Sequence, residues 1–575
     1  MSDGDSVLSP ELILDDVRRL TGKSLLWDKP GSMLDGFVRN MSKDRVVEHW
    51  QTVVRHLLAR LGWHAETTCY RIFEDGVSLG VSAPLDALYA ACDINETAWE
   101  ITYSELCGLP REESLECAIE RLRGAIVEEQ NPALLELVAE AQRLGVPWLS
   151  DDDEFSLGYG AHVRVWPVQA LPDPVELKWS SFKPIPLAMV TGTNGKSTSV
   201  RILSQMMAKA GRCCGVTSTD FIRVGESILD YGDYSGPGGA RMLLRHPDTE
   251  VAILEVARGG ILRRGLPVDR VDAALITNIA EDHLGQYGIN TIEALAQAKA
   301  VVAKALDGDG MLVLNADDEQ LLALASTLRV RLCWFSLDDA NPMLKSHRAR
   351  GGATCFVHDG QLVYSDPGEG IESAIIAVDD IPMTLNGAAR HNILNALGAI
   401  GVAKSMGLSN SVIAEALQQF SSSVEDNPGR GNQFEVNGAR VVMDFAHNVH
   451  SMQAMASTIA HMPASRKFLM LSMAGDRSDH EIQQSTETAL AMKPDVFVVA
   501  ELEIYLRGRE PGEVPRLIAQ AAVNQGFPED HIRIAQSPLE GAQLIVGQLQ
   551  PGDLALLLAL SDREQIIELL NAAVK

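Results

Sequence analysis

The chain has 575 residues, 49 Lys and Arg against 77 Asp and Glu for a net charge of −28, and 46% apolar residues. At roughly 100–200 residues per domain that is material for three or four globular domains, and it excludes disordered and collagen-like classes. So acidic a chain is repelled by nucleic-acid phosphates and anionic lipid, and it has no compensating basic patch, so neither nucleic acid nor membrane is an expected partner.

The first residues, MSDGDSVLSPELILDDV, have no basic region followed by an apolar core, and the longest apolar run, 554–560, is far short of the ~18 residues of a membrane span. A cytoplasmic location is expected. Ser9-Pro10-Glu11 reads as a helix start with proline in first position, and residues 45–62 carry apolar side chains at helical spacing up to Gly62. Residues 69–81 alternate about Asp75-Gly76, a hairpin signal, so residues 1–170 read as α+β. Pro172, Pro174, Pro184 and Pro186 then fix φ and remove backbone donors, which predicts a linker over 171–186.

Beyond the linker, apolar strands alternate with helical stretches: Leu187–Val190, Val251–Leu254, Ala273–Thr277, Met311–Leu314, Val441–Met443, Phe468–Leu471, Val496–Val499 and Leu554–Leu560. Runs apolar on both faces predict doubly wound parallel sheets, two of them, in an α/β fold. The break SSSVEDNPGR at 421–430 divides them into domains 187–424 and 425–575. The eight cysteines form no C-x-x-C pair and read as reduced, mostly buried thiols.

The strand at 187–190 runs straight into Thr191-Gly192-Thr193-Asn194-Gly195-Lys196-Ser197-Thr198, followed by an amphipathic helix. Gly192 and Gly195 let backbone N–H groups close on phosphates, the helix N-terminus adds its positive end, Lys196 suits β- and γ-phosphate oxygens, and Ser197 suits Mg²⁺. Val190 stands where the usual loop has glycine, so this is a variant phosphate loop. Ligands bind outside the carboxyl ends of strands in such sheets, where this chain has Glu255 and then Arg258, and Asn278 and then Asp282-His283. Glu255 and His283 are candidate Mg²⁺ ligands.

The segments GTNGKST, TNIAEDHLG (277–285), GAARHNILNALGA (387–399), NPGRGNQF (427–434) and DFAHN (444–448) together resemble the successive motifs of the Mur ligase family. Within it, ILEVARGGILRRGL, GDYSGPGGARMLL, GDRSDHEI and LRGREPGEVP resemble the Mur-like half of cyanophycin synthetases. The resemblance implies a central ATP-binding domain and a Rossmann-like last domain. It also implies ATP and Mg²⁺ as cofactors, and ligation of a carboxylate to an amine through an acyl phosphate. It assigns Lys196, Glu255, His283 and Lys299 to the reaction, Lys299 at a position carbamylated in many members, and Ser197, Glu255 and His283 to metal. Nucleotide contacts fall to Gly192, Thr193, Asn194, Gly195, Lys196, Ser197, Thr198 and Asn278, with Asn392 and Asn395 for adenine. Arg430 answers to the phosphates, Asp444 to the ribose, and Arg258, Arg507 and Arg509 to substrates.

Residues 20–170 resemble, more faintly, the front of cyanophycin synthetases, without the ATP-grasp domain that follows there. One ATP site implies one ligation, with an amino acid or amine and an acidic peptide or amino acid as substrates. A homo-oligomer, a poly-γ-glutamate-type ligase, and a non-catalytic polymer-binding partner of a second synthetase all stay open. Three further patterns carry no chemistry on this reading. Gly76-x-Ser78-x-Gly80 lies in a hairpin arm rather than before a helix, His447 and His450 belong with DFAHN rather than a metal, and Cys213-Cys214 reads as a buried thiol pair.

Overall fold

The structure, a computed structural model, describes residues 10–282, 284–366, 368, 372–460 and 462–573. His283 therefore lies outside the described residues. The front of the chain is an antiparallel sheet in the order Glu11–Leu20, Gly31–Arg39, Gly76–Ser82, Thr68–Ile72. Helices Lys43–Leu61, Leu88–Cys107 and Leu115–Glu129 pack with it. The expected helix at Glu11 is a strand: proline is tolerated at a strand start too, and the ladder to Gly31–Arg39, which buries Leu12 and Leu20, decides the conformation.

The other front elements follow their local signals. Ser42 caps the first helix by accepting from the Arg45 N–H, and Gly62 ends it at φ 83°, a left-handed conformation that glycine enters freely. The hairpin forms, and Ser78 sits inside its buried strand with the next helix starting only at Leu88, so no nucleophile elbow exists. Asn95 ties the layers together. Its carbonyl accepts from Trp50 Nε1 (3.1 Å) while its amide donates to Leu79 O (2.9 Å) and Ser32 Oγ (3.2 Å).

Residues 171–186 contain only two short 3₁₀ turns, Pro174–Glu176 and Trp179–Ser181. An eleven-stranded sheet follows in the order Ser227–Tyr231, Phe221–Val224, Cys214–Thr217, Val251–Glu255, Leu187–Thr191, Val271–Ile276, Leu306–Asn315, Arg331–Ser336, Ala353–His358, Gln361–Ser365, Glu372–Ala377. Its six strands from Cys214–Thr217 to Arg331–Ser336, and Ala353–His358 next to them, are parallel. A six-stranded sheet closes the chain: Arg430–Val436, Ala439–Asp444, Leu554–Leu558, Lys467–Leu471, Val496–Ala500, Ile532–Ala535.

All eight expected runs are strands, the last ending at Leu558. The remaining strands of these two sheets escaped the apolar-run criterion, mostly because they are antiparallel or at an edge, where one face is wet, as in Ser227–Tyr231 with its largely exposed side chains. The thiols are less buried than expected. Cys214, Cys333 and Cys355 are buried, but Cys213 is half-buried and Cys117 exposed, so Cys213-Cys214 straddles the surface. Among the described residues no helix is long and apolar enough to cross a membrane.

Asn95→Ala strands the Trp50 N–H and the Leu79 carbonyl in a dry core, and a loss of about 2–4 kcal/mol in urea unfolding is expected.

Candidate active site

Strand order builds the site. The phosphate-loop strand Leu187–Thr191 is inserted between Val251–Glu255 and Val271–Ile276, with Val190 beside Glu255 and Thr191 beside Ile276. Glu255 and the Thr277-Asn278 pair are thereby delivered to the two sides of the loop. The loop is then pinned by its neighbour: Asn278 O accepts from the Thr193 N–H (2.9 Å), Asn278 Oδ1 from the Asn194 N–H (2.9 Å), and Asn194 O from Asn278 Nδ2 (3.0 Å). Thr193 Oγ1 donates to Ala280 O at 3.1 Å. Glycine is required at two places. A Cβ on Gly192 would stand 1.9 Å from Thr277 Oγ1, and one on Gly195 would stand 2.2 Å from Asn395 Oδ1.

Two lysines are buried against this loop. Lys196 Nζ donates to Thr193 O (2.9 Å) and Lys299 Nζ to Gly192 O (2.8 Å). Burial pushes the Lys196 pKa down against the pull of Glu255 and Asp282, and burial together with the charge of Lys196 pushes Lys299 well down. Lys299 is thus drawn toward the neutral amine. Glu255 is buried, which raises its pKa against Lys196 and Arg430. Its carboxylate accepts from Ser197 Oγ (3.3 Å) and the Thr219 N–H (3.4 Å), and Thr219 Oγ1 lies 3.3 Å from Ser197 Oγ. Two hydroxyls and a carboxylate are the oxygen donors a Mg²⁺ ion takes, so Ser197, Thr219 and Glu255 fit that metal.

The last domain reaches into the same place. Asn194 and Asn448 exchange side-chain hydrogen bonds in both directions (3.2 and 3.1 Å), and Asn194 Nδ2 also lies 3.0 Å from His450 Nδ1. Asn448 Oδ1 accepts from the Ser451 N–H as well, which holds it at the start of the helix Val449–Ala460. Arg201, on the phosphate-loop helix Lys196–Lys209, pairs with Asp220 (2.5 Å) and donates to Asn427 Oδ1 (3.0 Å), and Arg563 reaches Asp220 from the final helix (3.3 Å). Asn427 Nδ2 also donates to Thr198 Oγ1 (3.3 Å). Burial would raise the Asp220 pKa, but Arg430, Arg201 and Arg563 hold it below its ordinary value. On the opposite side Arg477 pairs with Asp282 (3.0 Å), and His447 lies 3.8 Å from the same carboxylate.

The nominated residues therefore gather unequally. Lys196, Ser197, Glu255, Asn278 and Lys299 share the loop, and Asn395 packs on Gly195. Asn392, one turn earlier, donates to Met383 O (2.9 Å). Arg430 and Asp444 face each other across paired strands, with the Arg430 guanidinium 4.7 Å from the centre of the Phe445 ring. Arg258 donates to Gln286 Oε1 (2.8 Å). Arg507 pairs with Asp476 on the rim. Arg509 is occupied by Gly475 O, Arg477 O, Asp479 and Glu513, so it braces the loop that carries Arg477. Thr219, Asn448, His450, Asp220, Asp282 and Arg477 were not nominated. The quoted motifs contain Asn448, Asp282 and Arg477, and only the fold shows that they meet across the two domains. His447 and His450 have different partners, Asp282 and Asn194.

Gly195→Ala drives a methyl group into Asn395, and loss of nucleotide binding with the fold retained is expected in calorimetric titration. Asp444 has its pKa raised to about 6 by burial, with Arg430 and the Ala446 and Gly431 N–H groups opposing. A raised carboxylate pKa favours the native state below the unfolded value and loses that contribution as pH climbs through 6. Asp444→Asn is therefore expected to be more stable than the parent at pH 8, by on the order of 1 kcal/mol, with the gap closing toward pH 4 in chemical denaturation.

Residues 190–403 match the Mur ligase middle domain and residues 429–559 the Mur ligase glutamate ligase domain. The cyanophycin synthetase of Synechocystis sp. is 35% identical over 384 residues, 65% of this chain but 43% of that protein. The chain thus spans less than half the length of that relative. The UDP-N-acetylmuramoyl-L-alanyl-D-glutamate–2,6-diaminopimelate ligase of Bacillus velezensis is 25% identical, over 56% of this chain and 63% of that protein. E. coli FolC, solved with DHPP and ADP, has a similar fold: TM-score 0.51 at 19% identity, covering 67% of this chain and 89% of that one. A bifunctional folylpolyglutamate synthase/dihydrofolate synthase solved with Mn, AMPPNP and L-glutamate gives 0.50 at 20% identity, with the same coverage. Two consecutive domain matches, the α/β fold and these relatives agree: through residues 190–559 the chain belongs to the Mur ligase family.

Proposed function

We propose that this chain is an ATP-dependent ligase that joins the carboxylate of an acidic peptide or amino acid to an amino acid or amine through an acyl phosphate. The observation that carries the reading is the convergence of Lys196, Ser197, Glu255 and Asn278 on one phosphate loop that Asn448 and Arg477 approach from the last domain. In this reading the carboxylate oxygen attacks the γ-phosphorus and ADP leaves. The amine nitrogen then attacks the acyl carbon, phosphate departs, and the nitrogen gives up a proton. Two Mg²⁺ ions, one that Ser197, Thr219 and Glu255 would hold and a second that His283 would help hold, would supply charge neutralisation at the phosphates.

The chain's own residues do the rest. Backbone N–H groups of Gly195 and Lys196, at the start of the loop's helix, bind the phosphates, those of Thr193 and Asn194 being taken by Asn278, and Lys196 exchanges the Thr193 carbonyl for phosphate oxygens. Arg430 adds a cation beside them, and Asp444 accepts from the ribose hydroxyls. Asn395 and Asn392 line the adenine side, Asn392 being fixed by Met383. Burial and the charge of Lys196 push the Lys299 pKa down, which favours the neutral amine that carbamylation requires. Arg258 and Arg507 face the two substrates, and Arg509 positions Arg477. The two-domain seam keeps water from the acyl phosphate. A cytoplasmic location accords with an ATP-consuming reaction.

ADP and phosphate release that requires both a carboxylate and an amine, with a new amide found by mass spectrometry in a panel of amino acids and Asp-rich peptides, is the expected result. Lys196→Ala is expected to lower turnover by about 10²–10³-fold. Absence of thermal stabilisation by ATP and Mg²⁺ would replace this reading with that of a binding partner of a second synthetase.

A further inference from the structure

Tyr159 is only 6% exposed, and its hydroxyl makes no hydrogen bond among the described residues although its oxygen is not shut away from solvent. It lines a cavity of about 750 Å³ to which none of the phosphate-loop site residues contributes. The cavity lies where the turn after the helix Pro132–Leu144, the end of the proline segment and the end of the helix Arg390–Ser405 meet the starts of two central strands, at Leu187 and Val271. Those are the amino ends of the strands whose carboxyl ends hold the phosphate loop and Thr277. At about 3.3 Å per residue the two places are roughly 15 Å apart through the sheet.

The chemistry of its wall is one-sided. Asp269 and Asp272 are both exposed on it. Asp272 Oδ2 accepts from the Leu187 N–H at 2.8 Å, which leaves its other oxygen unused by that bond. Arg270, the cation between them, is turned to Asp307 at 3.0 Å. Trp148 adds a half-buried indole stacked on Phe155, Pro184 and Pro186 add apolar surface, and Gln142 and Ser405 add uncharged polar groups. Two carboxylates, an aromatic face and a phenol oxygen with no protein partner among the described residues suit a small organic cation bearing N–H donors, and they repel an anion such as a nucleotide.

We propose that this cavity is a second small-molecule site, separate from the phosphate loop, that takes an organic cation of the guanidinium or primary-ammonium class. The Tyr159 hydroxyl accepts a hydrogen bond from it, and Asp269 and Asp272 face its charge. Calorimetric titration of the full chain with agmatine, at saturating ATP and Mg²⁺ and with glutarate as the charge-reversed control, tests this. Agmatine is expected to bind and glutarate not. Tyr159→Phe, which keeps the ring, and the surface change Asp269→Asn are each expected to weaken agmatine at least about fivefold while ATP affinity stays within about twofold. Agmatine binding is also expected to persist in Lys196→Ala, whatever becomes of ligase activity. No agmatine binding up to about 10 mM, equal binding to parent and both variants, or displacement by ATP would each overturn the proposal.

Discussion

Two lysine side chains, Lys196 and Lys299, are buried under one short loop, and among the described residues each donates its hydrogen bond to a loop carbonyl oxygen. Burying like charges together without a directly bonded carboxylate opposes folding, and the surrounding structure has to supply what offsets it. Glu255 and Asp282 provide negative charge from neighbouring strand ends, and the loop itself is locked by reciprocal bonds to Asn278. The Gly192–Thr277 and Gly195–Asn395 approaches leave the loop no other shape. A polyanion set against the loop would relieve that unfavourable charge locally, in a chain whose net charge points the other way.

The front region bears on this place as well as on its own core. Arg71 donates to the carbonyls of Tyr287 (2.6 Å) and Gly288 (3.0 Å), and Arg18 to that of Leu262 (3.1 Å). Gln286, next in line, is the partner of Arg258. The segment that follows Asp282 is thereby held from outside the central domain, so the geometry around the phosphate loop depends on three sheets at once.

Much of this was legible because the signals were local. A strand running into TGTNGKST, polar residues directly after apolar runs, and Gly62 after a helical pattern each depend on a few neighbouring residues. The errors came where a distant partner decides. Glu11–Leu20 is a strand because Gly31–Arg39 lies beside it, and no residue within the segment states that. Arg509 reads like a substrate cation until the fold places Gly475 O and Arg477 O within its reach. Thr219 and Asp220 follow a strand too short and too near an antiparallel edge to be seen as an apolar run, so their place beside Ser197 and Arg201 was hidden.

The seam between the central and the last domain mixes two kinds of contact. Arg477 with Asp282, and Arg201 and Arg563 with Asp220, are ionic, and the exposed part of such attraction fades as salt rises. The Asn194–Asn448 pair carries no net charge and satisfies a donor and an acceptor on each side. Two such bonds, at about 1 kcal/mol each, amount to a bias of roughly thirtyfold between joined and parted domains. A clasp of that strength closes readily and yields readily, and its grip is the same in dilute buffer as in concentrated salt.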